Sequence, residues 1–135
     1  MRQISLYLIF LPIIAGILLL FFRSSKAKYL AFSVALAELV ISIIALMQFN
    51  SGIGFNFIVN IPWLKNWGIN LESGIDGISI LLIILTALAI PLIMLAGWDK
   101  HYHNYGLMHG MTLVLQGALM GVFLSLNAFI FYLFW

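Results

Sequence analysis

Apolar residues run along this chain in long uninterrupted blocks rather than on one face of alternating segments, the pattern of helices that are hydrophobic all round. Ile4 to Phe22 carries no charge and as a helix would reach ~28 Å, close to the hydrocarbon thickness of a bilayer. Leu30 to Phe49 is broken by a charge only at Glu38, Ile78 to Ala96 contains Pro91, and Leu107 to Trp135 is apolar over most of its length. That last block would extend ~43 Å as one helix, too long for an upright span. Ser125-Leu126-Asn127 offers the backbone the local hydrogen bonds that end helices. The pattern therefore predicts an all-α membrane protein with four transmembrane helices, at about 4–22, 30–49, 78–96 and 107–126, and a fifth beginning at about 128. The piece from Ala128 to Trp135 is ~12 Å of helix, which cannot cross, and a terminal carboxylate with unpaired helix carbonyls is costly in hydrocarbon. The expectation is an N-terminal fragment of one larger transmembrane domain.

The connections set an orientation. Arg23, Lys26 and Lys28 fall in the short link between the first two helices, which places that link on the cytoplasmic side and the N-terminus outside. The long link from Asn50 to Gly77, with Lys65, Glu72 and Asp76, then lies outside. Trp98 to Gly110 lies inside. Arg2 at the outer end opposes this only weakly, while Trp63 and Trp67 suit the outer interface and Trp98 the inner one. Within the outer link Phe55, Phe57, Val59 and Ile61 alternate with Asn56, Ile58 and Asn60, followed by Pro62, a turn around Lys65-Asn66 and the run Trp67 to Leu71. A small flat β-hairpin and an irregular amphipathic loop both fit this pattern.

Composition agrees with the membrane reading. The chain is 64% hydrophobic and 7% charged, against about 45–50% and about 25% in soluble domains. Six basic and four acidic residues give a net charge of +2, scattered rather than clustered, so nucleic acid is not an expected partner. With no cysteine, disulfides, thiolate-held metals and thiol catalysis are excluded.

Few residues could carry chemistry. Glu38 stands near the middle of the second helix, where an acidic side chain costs ~2.5–3.5 kcal/mol on insertion scales. Ala31, Ala35, Ser42 and Ala45 share its face and suit close helix contact. It is either protonated at neutral pH or paired with a group from a helix beyond this sequence or from another subunit, and a proton-relay carboxylate and a neutral side chain bonded to a neighbouring helix are its two readings. Asp76, before Gly77-Ile78-Ser79, is placed to cap the third helix, and Pro91 to kink it. Gly117 and Gly121 form a GxxxG pair for close packing in the fourth helix, beside the polar Gln116. His101, His103 and His109 lack the spacing and carboxylates of a metal site, and contacts with Tyr102 and Tyr105 account for them better. No phosphate loop, zinc-protease motif or serine nucleophile motif is present.

Three stretches, "LESGIDGISIL" from Leu71, "LTALAIPLIMLAGW" from Leu85 and "GVFLSLNAFIFYLFW" from Gly121, resemble in order and spacing the N-terminal portion of subunit M of proton-pumping NADH:quinone oxidoreductase, respiratory complex I. The resemblance covers all 135 residues and is strongest from Leu71 onward. It implies an antiporter-like membrane-arm subunit in the bacterial cytoplasmic (inner) membrane. Its partners would be other membrane subunits and lipid, its only substrate protons, and its chain would bind no redox cofactor or metal. The family's essential glutamate follows the aromatic run ending in Trp135, and its lysines lie further on, so the resemblance assigns no catalytic residue here. Asp76 matches the family's aspartate at the start of the third helix, and Glu38 matches no position on its proton path. The related membrane component of a multisubunit cation:proton antiporter, which shares this ancestry, and a small non-transporting membrane scaffold are the competing readings.

Overall fold

The computed structural model describes residues 3–52, 54–64, 66 and 68–135, so the readings placed on Arg2, Lys65 and Trp67 lie outside the described residues. The described chain forms α1 (Ile4–Leu19), α2 (Lys26–Met47), β1 (Asn56–Leu64), β2 (Ile69–Ile75), α3 (Gly77–Ala96), α4 (Tyr105–Leu124) and α5 (Ala128–Phe134). Three of these, α2, α3 and α4, are long and apolar enough to cross a membrane. The expected first span of 4–22 is shorter, at 16 residues, because Phe21 and Phe22 leave the helix in tight turns, their amides bonding the carbonyls of Leu18 and Leu19.

The other helix limits shift for identifiable reasons. Ser24 Oγ accepts the Lys26 amide at 3.3 Å in the turn that leads into α2, whose N-cap is Ser25, and Lys26 and Lys28 belong to the first turn of the helix rather than to the link. Asn104 Oδ1 accepts the Leu107 amide at 3.1 Å and starts α4 two residues before the expected Leu107. At its other end α4 stops at Leu124, where Ser125 becomes extended, and Asn127 Oδ1 accepts the Phe129 amide at 2.9 Å to start α5.

α1 packs most extensively on α4, α2 packs on α3, and α1–α2, α3–α4 and α2–α4 contacts close a four-helix bundle. Its core falls into two apolar clusters. One gathers Leu8, Ile9, Ala45, Ile83, Ala87, Met120 and Leu124 at the end nearer the sheet. The other gathers Leu19, Ala27, Ala31, Ala35, Ile90, Met94 and Leu113 toward the opposite end. Large apolar side chains such as Leu18, Leu81, Leu85 and Met111 remain exposed on the outside of the bundle, as expected where the solvent is lipid.

The long link between α2 and α3 is an antiparallel hairpin, β1 against β2, with Asn60 opposite Glu72 and Ile61 opposite Leu71. Pairing shifts register between Asn56 and Val59, where Phe57 takes a left-handed φ of 53°, and again after Pro62, which has no amide to donate. The sheet is tied to the bundle by polar bonds. Ser73 Oγ donates to Ser5 Oγ at 3.1 Å, and Ser5 Oγ donates to the Phe57 carbonyl at 3.1 Å. On the other edge, Ser73 bridges Ser125 and the Leu126 amide donates to the Glu72 carbonyl at 3.0 Å.

Candidate functional site

The chemistry-bearing groups inside the bundle are few. α2 buries the stripe Ala27, Ala31, Ala35, Glu38, Ser42 and Ala45, the small-residue face expected around the carboxylate. Glu38 is 0% exposed, and Gln116 on α4 is also 0% exposed. Among the described residues, neither carboxyl oxygen of Glu38 and neither amide atom of Gln116 has a hydrogen-bond partner. Two further hydroxyls in the bundle bond within their own helices: Ser42 Oγ donates to the Glu38 main-chain carbonyl at 2.9 Å, and Thr86 Oγ1 donates to the Leu82 carbonyl at 2.9 Å.

Glu38 and Gln116 occupy the same level. Along α2, Ala35 belongs to one apolar cluster and Ala45 to the other, and along α4 so do Leu113 and Met120. Both polar side chains therefore sit at the seam between two otherwise hydrophobic layers. The signal in the sequence was Gln116 at three residues from Leu113 and four from Met120, the spacing that keeps a side chain on one helix face.

The remaining candidates are distributed over the two ends. Asp76 is the N-cap of α3, its Oδ1 accepting the Ser79 amide at 2.7 Å. The Ser79 hydroxyl and amide hold the Asp76 carboxyl below its usual range. Pro91 is buried within α3, which continues through it to Ala96. Gly117 and Gly121 face different neighbours. A Cβ on Gly117 would meet Ile13 and the Ile9 carbonyl of α1, whereas one on Gly121 would meet the Phe134 ring of α5. Sequence reasoning missed the longer contact: Gly106, Gly110 and Gly117 form a single glycine face of α4 against α1, with Gly106 against the carbonyls of Leu19 and Phe22.

At the end of the bundle away from the hairpin, Lys28 Nζ lies 4.9 Å from the Trp98 ring centroid and 5.3 Å from that of Tyr29. His109 is buried in the second turn of α4, edge-on to Tyr102 at 5.8 Å and stacked with Tyr105 at 6.5 Å, while Tyr105 Oη and His101 Nδ1 are 3.4 Å apart. A cavity of about 40 Å³ separates His109 from Thr112 and Met94. Among the described residues no three His, Asp or Glu side chains group as a metal site would require. At the hairpin end a groove of about 560 Å³ runs between Leu6, Phe10, Ile13, Trp63, Leu71 and Phe134, all of them apolar.

A helical bundle with large apolar surfaces on its outside and sealed polar groups between its helices defines a multi-pass membrane protein. Comparison with known proteins places it among respiratory subunits. The chain is 31% identical over 137 residues to F(420)H(2) dehydrogenase subunit M of Methanosarcina mazei, an alignment covering 100% of this chain and 28% of that protein. It is 31% identical over 140 residues to NADH-quinone oxidoreductase subunit M of Buchnera aphidicola, covering 95% of this chain and 27% of the relative. Respiratory complex I from Thermus thermophilus contains a chain of the same fold, with a TM-score of 0.81, 24% identity, and 96% of this chain and 26% of that chain covered. No family model matches. The chain belongs with subunit M, the antiporter-like membrane subunit of respiratory complexes. It spans little more than a quarter of the length of these relatives.

Proposed function

We propose that this chain forms the first part of a proton-translocating subunit in the membrane arm of an NADH:quinone oxidoreductase. The observation that carries the proposal is the full-length alignment with two redox-complex subunits named M. In this reading α1 to α4 all cross the membrane, with α1, at ~24 Å, seated where the bilayer or its neighbours accommodate a short span. The N-terminus and hairpin face outward, and Arg23, Lys26 and Lys28 face the cytoplasm of a bacterial cell. The groups that transfer protons lie beyond Trp135. The described bundle supports this division of labour, because its core is dominated by apolar packing and contains no chain of bonded titratable groups crossing the described helices.

The chain's role would be to hold neighbouring membrane subunits and the rest of the antiporter-like unit in register, while redox cofactors reside elsewhere in the complex. Inverted membrane vesicles from cells lacking the protein test the proposal. Quinone-dependent acidification driven by the electron donor should be lost and should return on re-expression. Unchanged acidification in the deletion strain would overturn it, and exchange of cations without any electron donor would favour the cation:proton antiporter reading.

A further inference from the structure

The cavity of about 40 Å³ at the end of the bundle away from the hairpin lies between α3 and α4, beside the link that joins them. Ile93, Met94 and Met108 give it apolar walls, and three polar side chains reach it: Tyr102 from the link, and His109 and Thr112 from α4. The Tyr102 hydroxyl fits there because Gly97 has no side chain, a Cβ on Gly97 falling 2.8 Å from Tyr102 Oη. His109 is 5% exposed. Among the described residues neither its imidazole nor the Tyr102 hydroxyl has a hydrogen-bond partner, the ring-nitrogen contact of this cluster being that of His101 with Tyr105 Oη. Unlike the side-chain atoms of Glu38 and Gln116, the His109 nitrogens are not sealed by packing, so the little of the residue that stays open includes them. Buried polar groups of this kind take a partner from protein or from water, because leaving them bare is costly.

We propose that this cavity is a binding site for a single water molecule held by Tyr102, His109 and Thr112. The donors and acceptors match. The Thr112 hydroxyl gives its hydrogen to the Met108 carbonyl at 2.9 Å, so toward the cavity it can only accept. The water donates one hydrogen to Thr112 Oγ1 and the other to the acceptor nitrogen of the imidazole, and it accepts the Tyr102 O–H. These bonds make up about three, the usual number for a buried water.

Size and charge select this occupant. The space of about 40 Å³ exceeds the roughly 10–15 Å³ that a water needs and falls far short of the roughly 300 Å³ at which sites for small organic ligands begin. A cation is disfavoured, because Lys28 acts on His109 from the start of α2 and the lining contains no carboxylate. An apolar side chain or lipid tail would leave all three polar groups bare. Bound there, the water fastens the α3–α4 link to the first turns of α4 and keeps a buried imidazole in contact with the aqueous phase. The site does not depend on proton pumping, so its test is separate from that of the proposed function.

Solid-state NMR of the full-length protein in lipid bilayers, with ¹⁵N-labelled histidine, reads the contact directly. The His109 ring signals are those that H109Q removes. Magnetisation from water protons should reach them, as it reaches the exposed His101 and His103, and the variant Y102F/T112V should lose this transfer at His109 while keeping it at the other two. No transfer to His109 in the wild type, or transfer that Y102F/T112V leaves unchanged, overturns the proposal. Should that variant fail to accumulate, T112I, whose added methylene fills the cavity, replaces it with the same two outcomes. In a density map of the assembled complex that resolves ordered water, a peak should stand within hydrogen-bond reach of Tyr102 Oη and Thr112 Oγ1, and a dry cavity overturns the assignment.

Discussion

Gly16 of α1 and Gly110 of α4 meet backbone to backbone: a Cβ added to Gly16 would stand 2.6 Å from the Gly110 carbonyl oxygen, and one added to Gly110 would stand 2.7 Å from the Gly16 carbonyl oxygen. Neither obstacle is a flexible side chain that could swing aside. Gly16→Ala and Gly110→Ala are each expected to destabilise the protein by about 1–3 kcal/mol, the usual cost of overfilling a packed contact. Gly77→Ala, with nothing within 4 Å, is the control and should be neutral or slightly stabilising. Thermal unfolding in mild detergent separates the two classes, and equal melting of Gly16→Ala and the wild type would refute the close contact.

Asp76→Ala should weaken α3 by about 0.5–2 kcal/mol through loss of the cap, and Asp76→Asn, which keeps an acceptor oxygen, by much less. The pH dependence has a definite sign. Because the folded carboxyl is held below its ordinary value, its contribution is present in full above that value and disappears as pH falls through the lowered one. Acid melting curves should therefore be shallower in Asp76→Asn than in the wild type. Parallel curves would contradict the assignment.

Lys28, over the Trp98 ring, joins the start of α2 to the segment following α3. Lys28→Arg should preserve this contact and Lys28→Gln should lower stability by about 0.5–1 kcal/mol. A Trp98→Leu background should abolish the difference between the Lys28 variants, which a melting-temperature cycle would read directly.

Glu38→Gln exchanges the carboxyl for an amide of nearly the same shape on the buried face of α2. Electron-donor-driven acidification in vesicles should therefore fall only mildly in this variant. Complete loss of pumping in a normally assembled complex would move Glu38 onto the main proton path.

The orientation is open to direct measurement because the chain has no cysteine. A single cysteine at Ser51, in the outer link, should react with an impermeant maleimide added to whole cells, and one at Lys100 should react only after the membrane is opened. The reverse pattern would invert the topology.

The helices were legible because long apolar runs have few alternatives, and their mid-points fall where hydropathy places them. Their ends were less so, since they depend on single side chains: Ser24, in the turn before α2, and Asn104, the cap of α4, each stand where a helix begins earlier than the apolar run does. The alternation from Phe55 to Ile61 was compatible with a hairpin, but the bonds of Ser73 to Ser5 and Ser125 join residues far apart in sequence and leave no local trace. Glu38 drew notice as a lone charge. That Gln116 is sealed in as completely as Glu38, with its amide unpartnered, follows from how the helices pack and not from its neighbours in sequence. The glycine face of α4 was read through Gly117 and Gly121, although Gly121 turns toward α5 and the contact with α1 continues instead through Gly110 to Gly106.

The hairpin holds α1 at Ser5 and the α4–α5 junction at Ser125 and Leu126, while glycine contacts clasp the same two helices farther along their length. Fastened at both extremities, α1 and α4 act as one stiff beam. Any displacement arriving at the junction from α5 must travel along that beam as a unit, tilting it and carrying the outer sheet with it, because neither helix can slide alone.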